Sequence, residues 1–221
     1  MLNSLRAGSG DRIRQSALLL QHLVNLETAV PAANEELLKT QKGMFFVTLY
    51  AALEFTLTTA VSEFLSELQS LSTAPKTYKS GLLPTLLNRE FNAAFSASKR
   101  LTWTHRRNLI NRVFAADPCT IDNDVFPAES TNVSADHFEE IWQQLELPGA
   151  SLPPGINPWT LNEIKEHRNA IAHGREKASS IGARFTLAAL DDRHRAVEAI
   201  CAYTVLSFEE HLKNKSYLSP P

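Results

Sequence analysis

The fold depends on one apolar stretch, residues 43–62, which has the sequence GMFFVTLYAALEFTLTTAVS. Glu54 is its single charged residue. The stretch is long enough to cross a bilayer, but a carboxylate at the centre of a membrane span is energetically expensive. It is also apolar on nearly every side of a helix, as is typical of the central helix of a bundle. We therefore predict a buried core helix rather than a membrane span.

The flanking segments extend this helical pattern. Residues 11–30 carry a wide apolar stripe at helical spacing, and Pro31 ends it. Asn34, followed by two glutamates, predicts the start of the central helix. That helix is expected to continue to about Leu71, with Gly43 as a point where it can bend.

The middle of the chain, residues 73–157, differs in character. It contains most of the 11 prolines, which interrupt helices and favour loops. One or two short helices are predicted within 82–113, and another over 135–146, begun by Ser134. This part of the chain is therefore interpreted as an irregular insertion of short helices and loops.

The last third of the chain returns to strong periodicity. Residues 160–163, TLNE, have the pattern of a capping box and predict a helix start. This helix is expected to run to His173, with Gly174 in the left-handed position that follows a helix. Residues 175–183 are predicted as a loop, and residues 187–213 as a final amphipathic helix.

The chain as a whole is predicted to be one all-α domain over residues 1–221. Its parts are N-terminal long helices (1–72), the insertion (73–157), and a C-terminal helix pair (158–214). The composition, 43% apolar and 21% charged, is that of a globular protein. Two cysteines are too few for a disulfide framework, and the N-terminus has no signal-peptide pattern, so a cytoplasmic location without membrane contact is expected.

The net charge of −2 conceals two opposite blocks. Residues 89–112 contain six Lys or Arg and one acid, a local charge of +5, interleaved with aromatic residues. Residues 113–160 contain eight acids and no Lys or Arg. Basic residues alternating with aromatics are typical of nucleic-acid-binding surfaces. The alternatives are that the two blocks pair with each other or that both face solvent.

One segment carries a candidate chemistry, residues 168–173 with the sequence RNAIAH. Arginine can hold two phosphate oxygens with its planar fork, and histidine can transfer protons near neutral pH. Together they suffice for RNA cleavage without a metal, in which the 2′-hydroxyl attacks the adjacent phosphorus. The same spacing recurs at Arg100 and His105, but without a capped helix or a following glycine. No metal-binding or nucleotide-binding motif is present, and no cofactor is expected.

The helical positions of these residues argue for a second copy of the chain. At 100° per residue, Asn169 and His173 are predicted to share an outward face, while Arg168 lies nearer the core stripe. One helix alone therefore makes a poor active site. A two-fold partner that brings a second copy of the motif would make a better one.

Residues 168–174, RNAIAHG, resemble the R-x4-H signature of the HEPN superfamily, in particular stand-alone bacterial nucleases of toxin–antitoxin and phage-defence loci. The stretch MFFVTLYAALEF is similar to the core helix of that branch. The resemblance implies a bundle of four to five main helices, a homodimer and a composite cleft. It also implies metal-independent endoribonuclease activity, with Arg168 and His173 as catalytic residues and Asn169 as their polar companion.

Three further residues are candidates for supporting roles. Glu54 is expected to orient Arg168 or the imidazole, or to satisfy a buried partner, while His167 and Arg175 flank the motif and are candidates for RNA contacts. The alternative function is a non-catalytic RNA-binding or regulatory HEPN module, such as an antitoxin or adaptor. An antitoxin or defence-system protein is an expected partner, and the RNA substrate is not specified by the sequence.

Overall fold

The computed structural model describes residues 2–29, 35–122 and 132–220. Within these ranges the chain forms nine α-helices, two 3₁₀ turns and one isolated β-bridge between Tyr78 and Leu218, with no β-strand. The predicted all-α class is therefore confirmed. The helices are α1 (Asn3–Ala29), α2 (Glu35–Ser70), α3 (Leu83–Leu86), α4 (Asn88–Ser96), α5 (Thr102–Val113), α6 (Ala135–Gln144), α7 (Pro158–Ala172), α8 (Ala178–Gly182) and α9 (Leu187–Lys213).

Helix α2 is the centre of the structure. Helices α1, α7, α8 and α9 all pack against it, and fifteen of its residues are buried. By length and composition it is the one helix among the described residues that could cross a membrane. Its apolar faces are instead largely covered by the neighbouring helices, as predicted for a core helix. Its largest buried apolar and aromatic side chains are Phe45, Phe46, Leu49, Tyr50, Leu53, Leu57, Phe64, Leu65 and Leu68.

Helix α1 begins earlier than the sequence pattern indicated. It starts at Asn3 rather than at residue 11, because Leu2 and Leu5 are already buried against the core. Gly8 fits into this first section of the helix because a side chain there would collide with the Phe55 ring. The helix-boundary signals at Pro31 and Asn34 lie outside the described residues.

The described part of the middle section forms short helices and loops, in line with the sequence pattern. Helices α3, α4 and α5 occupy residues 83–113, one more than the sequence indicated, and α6 begins after Ser134, whose hydroxyl accepts a bond from the His137 amide. Glu146 connects the end of this section to its beginning. Its carboxylate accepts a 2.8 Å bond from the Gly81 amide and lies 3.6 Å from the Lys79 ammonium. Helix α6 adds Phe138 and other apolar residues to the common core.

Two glycines let the backbones of α2 and α8 touch. A β-carbon on Gly43 would lie 1.9 Å from the carbonyl oxygen of Ala178, and one on Gly182 would lie 1.9 Å from the carbonyl oxygen of Lys39. The prediction of a loop over residues 175–183 is therefore wrong in part, because residues 178–182 form α8 against this contact. Helix α2 passes through Gly43 without interruption.

We predict that Gly43→Ala lowers the free energy of unfolding by about 1–3 kcal/mol, because the methyl group must push α8 away from α2. Gly10→Ala is the matched control, since Gly10 is also within a helix and nothing lies within 4 Å of its would-be β-carbon. That control should raise stability by about 0.5–1 kcal/mol. Urea unfolding midpoints measure both changes. Equal effects of the two substitutions would show that the close contact carries no strain.

A buried histidine joins α9 to the middle section. His211 is fully buried, its Nδ1 lies 2.8 Å from the Ser216 hydroxyl, and its Nε2 lies 3.1 Å from the carbonyl oxygen of Leu145. The Phe64 and Tyr217 rings also contact the imidazole. Burial lowers the pKa of His211 to about 4, so the ring is neutral in the folded protein at neutral pH.

The buried, neutral His211 should make the folded protein less stable in mild acid. The unfolded chain binds a proton at His211 below about pH 6.5, whereas the folded chain does so only near pH 4. Stability should therefore fall as the pH drops from about 7 to about 4, by up to about 3 kcal/mol from this residue. His211→Gln should flatten that part of the profile in urea unfolding, whereas His22→Gln, at an exposed site, should not. An unchanged profile in His211→Gln would contradict the assignment.

Candidate functional site

The candidate motif lies on α7, whose N-cap lies three residues before the predicted N-cap, Thr160. Asn157 is the N-cap and accepts a 3.0 Å bond from the Trp159 amide, and Pro158 occupies the first helical position. The predicted caps, Thr160 and Glu163, are therefore wrong. Glu163 instead receives two bonds from Arg193, of 2.9 Å and 3.1 Å, which fasten α7 to α9.

The end of α7 fixes the position of His173. His173 is the C-cap and Gly174 has a φ of +67°, the left-handed conformation that the sequence predicted. The Gly174 amide donates to the Ile171 carbonyl at 3.1 Å, and the Arg175 amide donates to the Ala170 carbonyl at 2.8 Å. These two bonds form a Schellman motif. The backbone of His173 is thus held at the helix end, and its side chain is exposed to solvent.

Arg168 lies five residues earlier on α7 in a half-buried cluster. Its Nη1 donates to the amide oxygens of Asn132 at 3.0 Å and Asn169 at 2.8 Å. Its Nη2 lies 3.8 Å from a carboxylate oxygen of Glu54 on α2. Its Cζ atom is 4.3 Å from the centre of the Tyr50 ring, a cation–π distance. The guanidinium is thus held on several sides while part of the side chain stays accessible.

Tyr50 contacts Arg168 and is also buried in the hydrophobic core. Its ring lies beneath the Arg168 guanidinium, and its hydroxyl oxygen accepts a 2.8 Å bond from the Val133 amide. Burial raises the pKa of Tyr50, so the phenol stays neutral at physiological pH. The chain segment at Asn132 and Val133 is thereby fixed above this part of α2 and α7.

The predicted orientation of Asn169 is wrong. Helical periodicity placed Asn169 with His173 on an outward face, but Asn169 is only 6% exposed while His173 is exposed. Arg168 is bonded to both Asn132 and Asn169, so the segment at Asn132 lies over this part of α7. The helical pattern alone does not reveal this cover. Asn169 therefore acts as an acceptor that positions Arg168.

The remaining candidate residues have different surroundings. Glu54 lies beside Arg168, with a carboxylate oxygen 3.8 Å from Nη2, and its role in orienting Arg168 stays a prediction. His167 packs edge-on against the Phe46 and Phe185 rings at 4.8 Å and 5.4 Å. Burial lowers the pKa of His167, which keeps its imidazole uncharged at neutral pH. An uncharged imidazole does not attract a phosphate, which argues against His167 as an RNA contact, whereas Arg175 is exposed beside the motif.

Two residues of the cluster were missed by the sequence reasoning. Tyr50 precedes Glu54 by four residues on α2, so both lie on one helix face, and this spacing was an available signal. Asn132 had no such signal in the sequence, because only the tertiary fold brings it to Arg168. In the described ranges, no three His, Cys, Asp or Glu side chains form a group that could hold a metal.

The family of the chain follows from its sequence match. The model of the RiboL-PSP-HEPN family matches residues 11–210, a span that includes α2, the Arg168 cluster and His173. The chain belongs to the RiboL-PSP-HEPN family. Membership of the HEPN superfamily, expected from the resemblance, is thereby confirmed and indicates a nuclease or another RNA-related module. No curated protein and no solved structure matches the chain significantly.

The family match also spans the basic block of residues 89–112. In this RiboL-PSP-HEPN chain the block forms α4, α5 and the turn between them. Arg112 contacts the start of the acidic residues 113–160, because its Nη1 donates a 3.3 Å bond to the backbone carbonyl of Asp117. Its Nε also lies 3.9 Å from a carboxylate oxygen of Glu90. The five other cations of the block are exposed: Arg89, Lys99, Arg100, Arg106 and Arg107.

The bond between Arg168 and Asn169 can be measured in a double-mutant cycle. We expect Arg168→Ala and Asn169→Ala to show a coupling of about 1–2 kcal/mol in urea unfolding, because the bond is charge-assisted and one partner is buried. Arg168 and Glu166 form the control cycle, since the exposed Glu166 is paired with Lys165 instead. Coupling no larger than in the control would contradict the positioning role of Asn169.

Proposed function

We propose that this protein is a metal-independent endoribonuclease whose catalytic residues are Arg168 and His173. The observation that carries the proposal is the fixed Arg168 guanidinium, supported by Tyr50, Asn132 and Asn169, on the same helix as an exposed His173 at its end. Membership of the RiboL-PSP-HEPN family supports an RNA-related role. RNA is the partner, and no metal or cofactor takes part in the proposed reaction.

The proposed reaction is a transesterification within the RNA strand. The 2′-hydroxyl oxygen bonds to the adjacent phosphorus while the bond from phosphorus to the 5′-oxygen breaks. The products are a 2′,3′-cyclic phosphate and a 5′-hydroxyl. A proton leaves the 2′-hydroxyl and another reaches the departing 5′-oxygen, and His173 performs one of these transfers. Arg168 stabilises the negative charge that accumulates on the phosphorane oxygens.

Three neighbours prepare Arg168 for this role. The Asn132 and Asn169 oxygens and the Tyr50 ring replace water around the guanidinium, so little reorganisation is needed when a phosphate arrives. Glu54 acts as a positioning residue through its carboxylate, 3.8 Å from Nη2. Arg175, beside the motif, supplies a further contact to the RNA backbone.

The active site is proposed to be shared between two copies of the chain. Five residues along a helix separate Arg168 and His173 by about 140° and about 7.5 Å along the axis. One α7 helix therefore presents the two groups in different directions. In a two-fold dimer, the Arg168 of one protomer and the His173 of the other can face the same phosphate.

The proposed setting is the cytoplasm, where the enzyme acts as a toxin or phage-defence effector on cellular RNA. A dedicated antitoxin or defence-system protein would keep it inactive until it is needed. The non-catalytic alternative, an RNA-binding or regulatory module, has the same RNA affinity without cleavage. The two functions separate in a direct assay of RNA cleavage.

The assay incubates the purified protein with RNA in EDTA and analyses the product ends. We expect cleavage that leaves 2′,3′-cyclic phosphates, with losses of at least about 100-fold in His173→Ala and Arg168→Ala. His22→Ala, at an exposed site on α1, is the matched control and should keep full activity. A wild-type protein that binds RNA without cutting it would establish the non-catalytic module. Cleavage that requires added metal would exclude the proposed mechanism.

The same variants test the shared site. Neither Arg168→Ala nor His173→Ala should cleave RNA alone, but mixing them after dissociation and reassociation should restore part of the activity. Mixed dimers contain one intact combination of Arg168 and His173 from opposite protomers. Mixed dimers that form, as seen by native mass spectrometry, and remain inactive would contradict a shared site.

A further inference from the structure

The hairpin formed by α4 and α5 is an unusual part of the surface. The two helices pack against each other, yet neither contains a single buried residue. Several of its large apolar side chains are instead open to solvent, with Phe95 95% exposed and Trp103 74% exposed, while Leu109 and Val113 pack partly against the core. Phe91, Leu101 and Ile110 are exposed as well. Large aromatic groups displayed in this way mark an interaction site.

Arginine side chains lie on the same exposed face of the hairpin as these apolar residues. On α5, Ile110 lies within about 20° of Trp103 around the helix, and Arg106 and Arg107 lie about 60° to one side and about 40° to the other. The Arg106 Cζ atom is 5.2 Å from the centre of the Trp103 ring. A shallow groove of about 420 Å³ is lined by these four side chains and Asn111.

We propose that this hairpin binds unpaired segments of RNA, with a base stacked on Trp103 and neighbouring phosphates held by Arg106 and Arg107. Single-stranded nucleic acid is bound by this combination, because every base has a flat face for an aromatic ring and every linkage carries a negative charge. The inference rests on the proposed function in naming RNA as the ligand. It adds a docking surface outside the Arg168 cluster and the substrate class, unpaired RNA.

The charge of the surface favours RNA over a second copy of the chain. Residues 89–112 carry a charge of +5, so two such hairpins meeting across a two-fold axis would repel each other. The placement of the arginines also argues against a membrane. A membrane-bound helix keeps its cations on the face opposite its apolar residues, whereas Arg106 and Arg107 border Trp103 directly.

The first test measures binding in the non-cleaving His173→Ala background. Of the three tryptophans, Trp142 is buried and Trp159 is 67% exposed, so Trp159→Phe leaves Trp103 as the accessible fluorophore. The probe is a single-stranded oligouridine of about 12 nucleotides. We expect it to quench the Trp103 emission, and Trp103→Ala to raise the Kd, measured by filter binding, about tenfold. A duplex of the same length should give little quenching.

A charge reversal tests the arginines. Arg106→Glu with Arg107→Glu should raise the Kd for oligouridine at least about tenfold and make binding less dependent on salt. Arg14→Glu with Lys213→Glu, at exposed sites on α1 and α9, changes the net charge equally and is the control. We expect the control to stay within about twofold of the parent. Equal losses in both double variants would overturn the inference, since they would reflect overall charge alone.

Two other results would contradict the proposal and assign the hairpin a different role. Binding of the hairpin to vesicles of phosphatidylserine and phosphatidylcholine, without binding of oligouridine, would identify it as a membrane surface. A change of oligomeric state in Trp103→Ala, measured by sedimentation, would identify a contact between copies of the chain.

Failure of the proposed catalysis can be distinguished from failure of this inference. With His173 intact, Trp103→Ala should raise KM for RNA and leave kcat nearly unchanged, because the stacking acts on substrate binding alone. If the wild-type protein cleaves no RNA but Trp103→Ala still weakens oligouridine binding, the docking surface stands and the nuclease proposal falls. If cleavage occurs and Trp103→Ala changes neither KM nor Kd, the docking surface falls.

Discussion

The burial of α2 on several sides is the constraint on which the rest of the structure depends. A helix that is apolar nearly all round cannot be covered by one partner, so α1, α7, α8 and α9 each take a part of its surface. Each of them contributes side chains to the common core. The direction of α7, and with it the placement of Arg168 and His173, follows from this arrangement.

The elements that depend on periodicity were predictable from the sequence. The central helix, the last helix and the left-handed Gly174 were predicted correctly, because hydrophobic spacing and glycine chemistry are local properties. The early start of α1 was missed, although Leu2 and Leu5 carry its apolar pattern to the N-terminus. Helix α8 was missed because it is short and its stability comes from the backbone contact with α2.

The candidate site was predictable in its residue types and less so in its geometry. Arg168, Asn169 and Glu54 were candidates from the sequence and lie together in the structure, but the sequence pattern had assigned Asn169 to solvent. A helical projection assumes that one side of a helix is covered, whereas α7 has a second cover at Asn132. The roles of Tyr50 and Asn132 depend on contacts between distant segments, which no local pattern encodes.

The contact between Gly43 and α8 also affects the order in which the helices can pack as the chain is synthesised. Its two halves lie far apart in the chain, so the contact forms only after residues 178–182 have been synthesised. Until then, α2 lacks its cover from α8 and α9, and part of its apolar surface is exposed in the nascent chain. The cluster around Arg168 therefore assembles only after α7 has packed against α2.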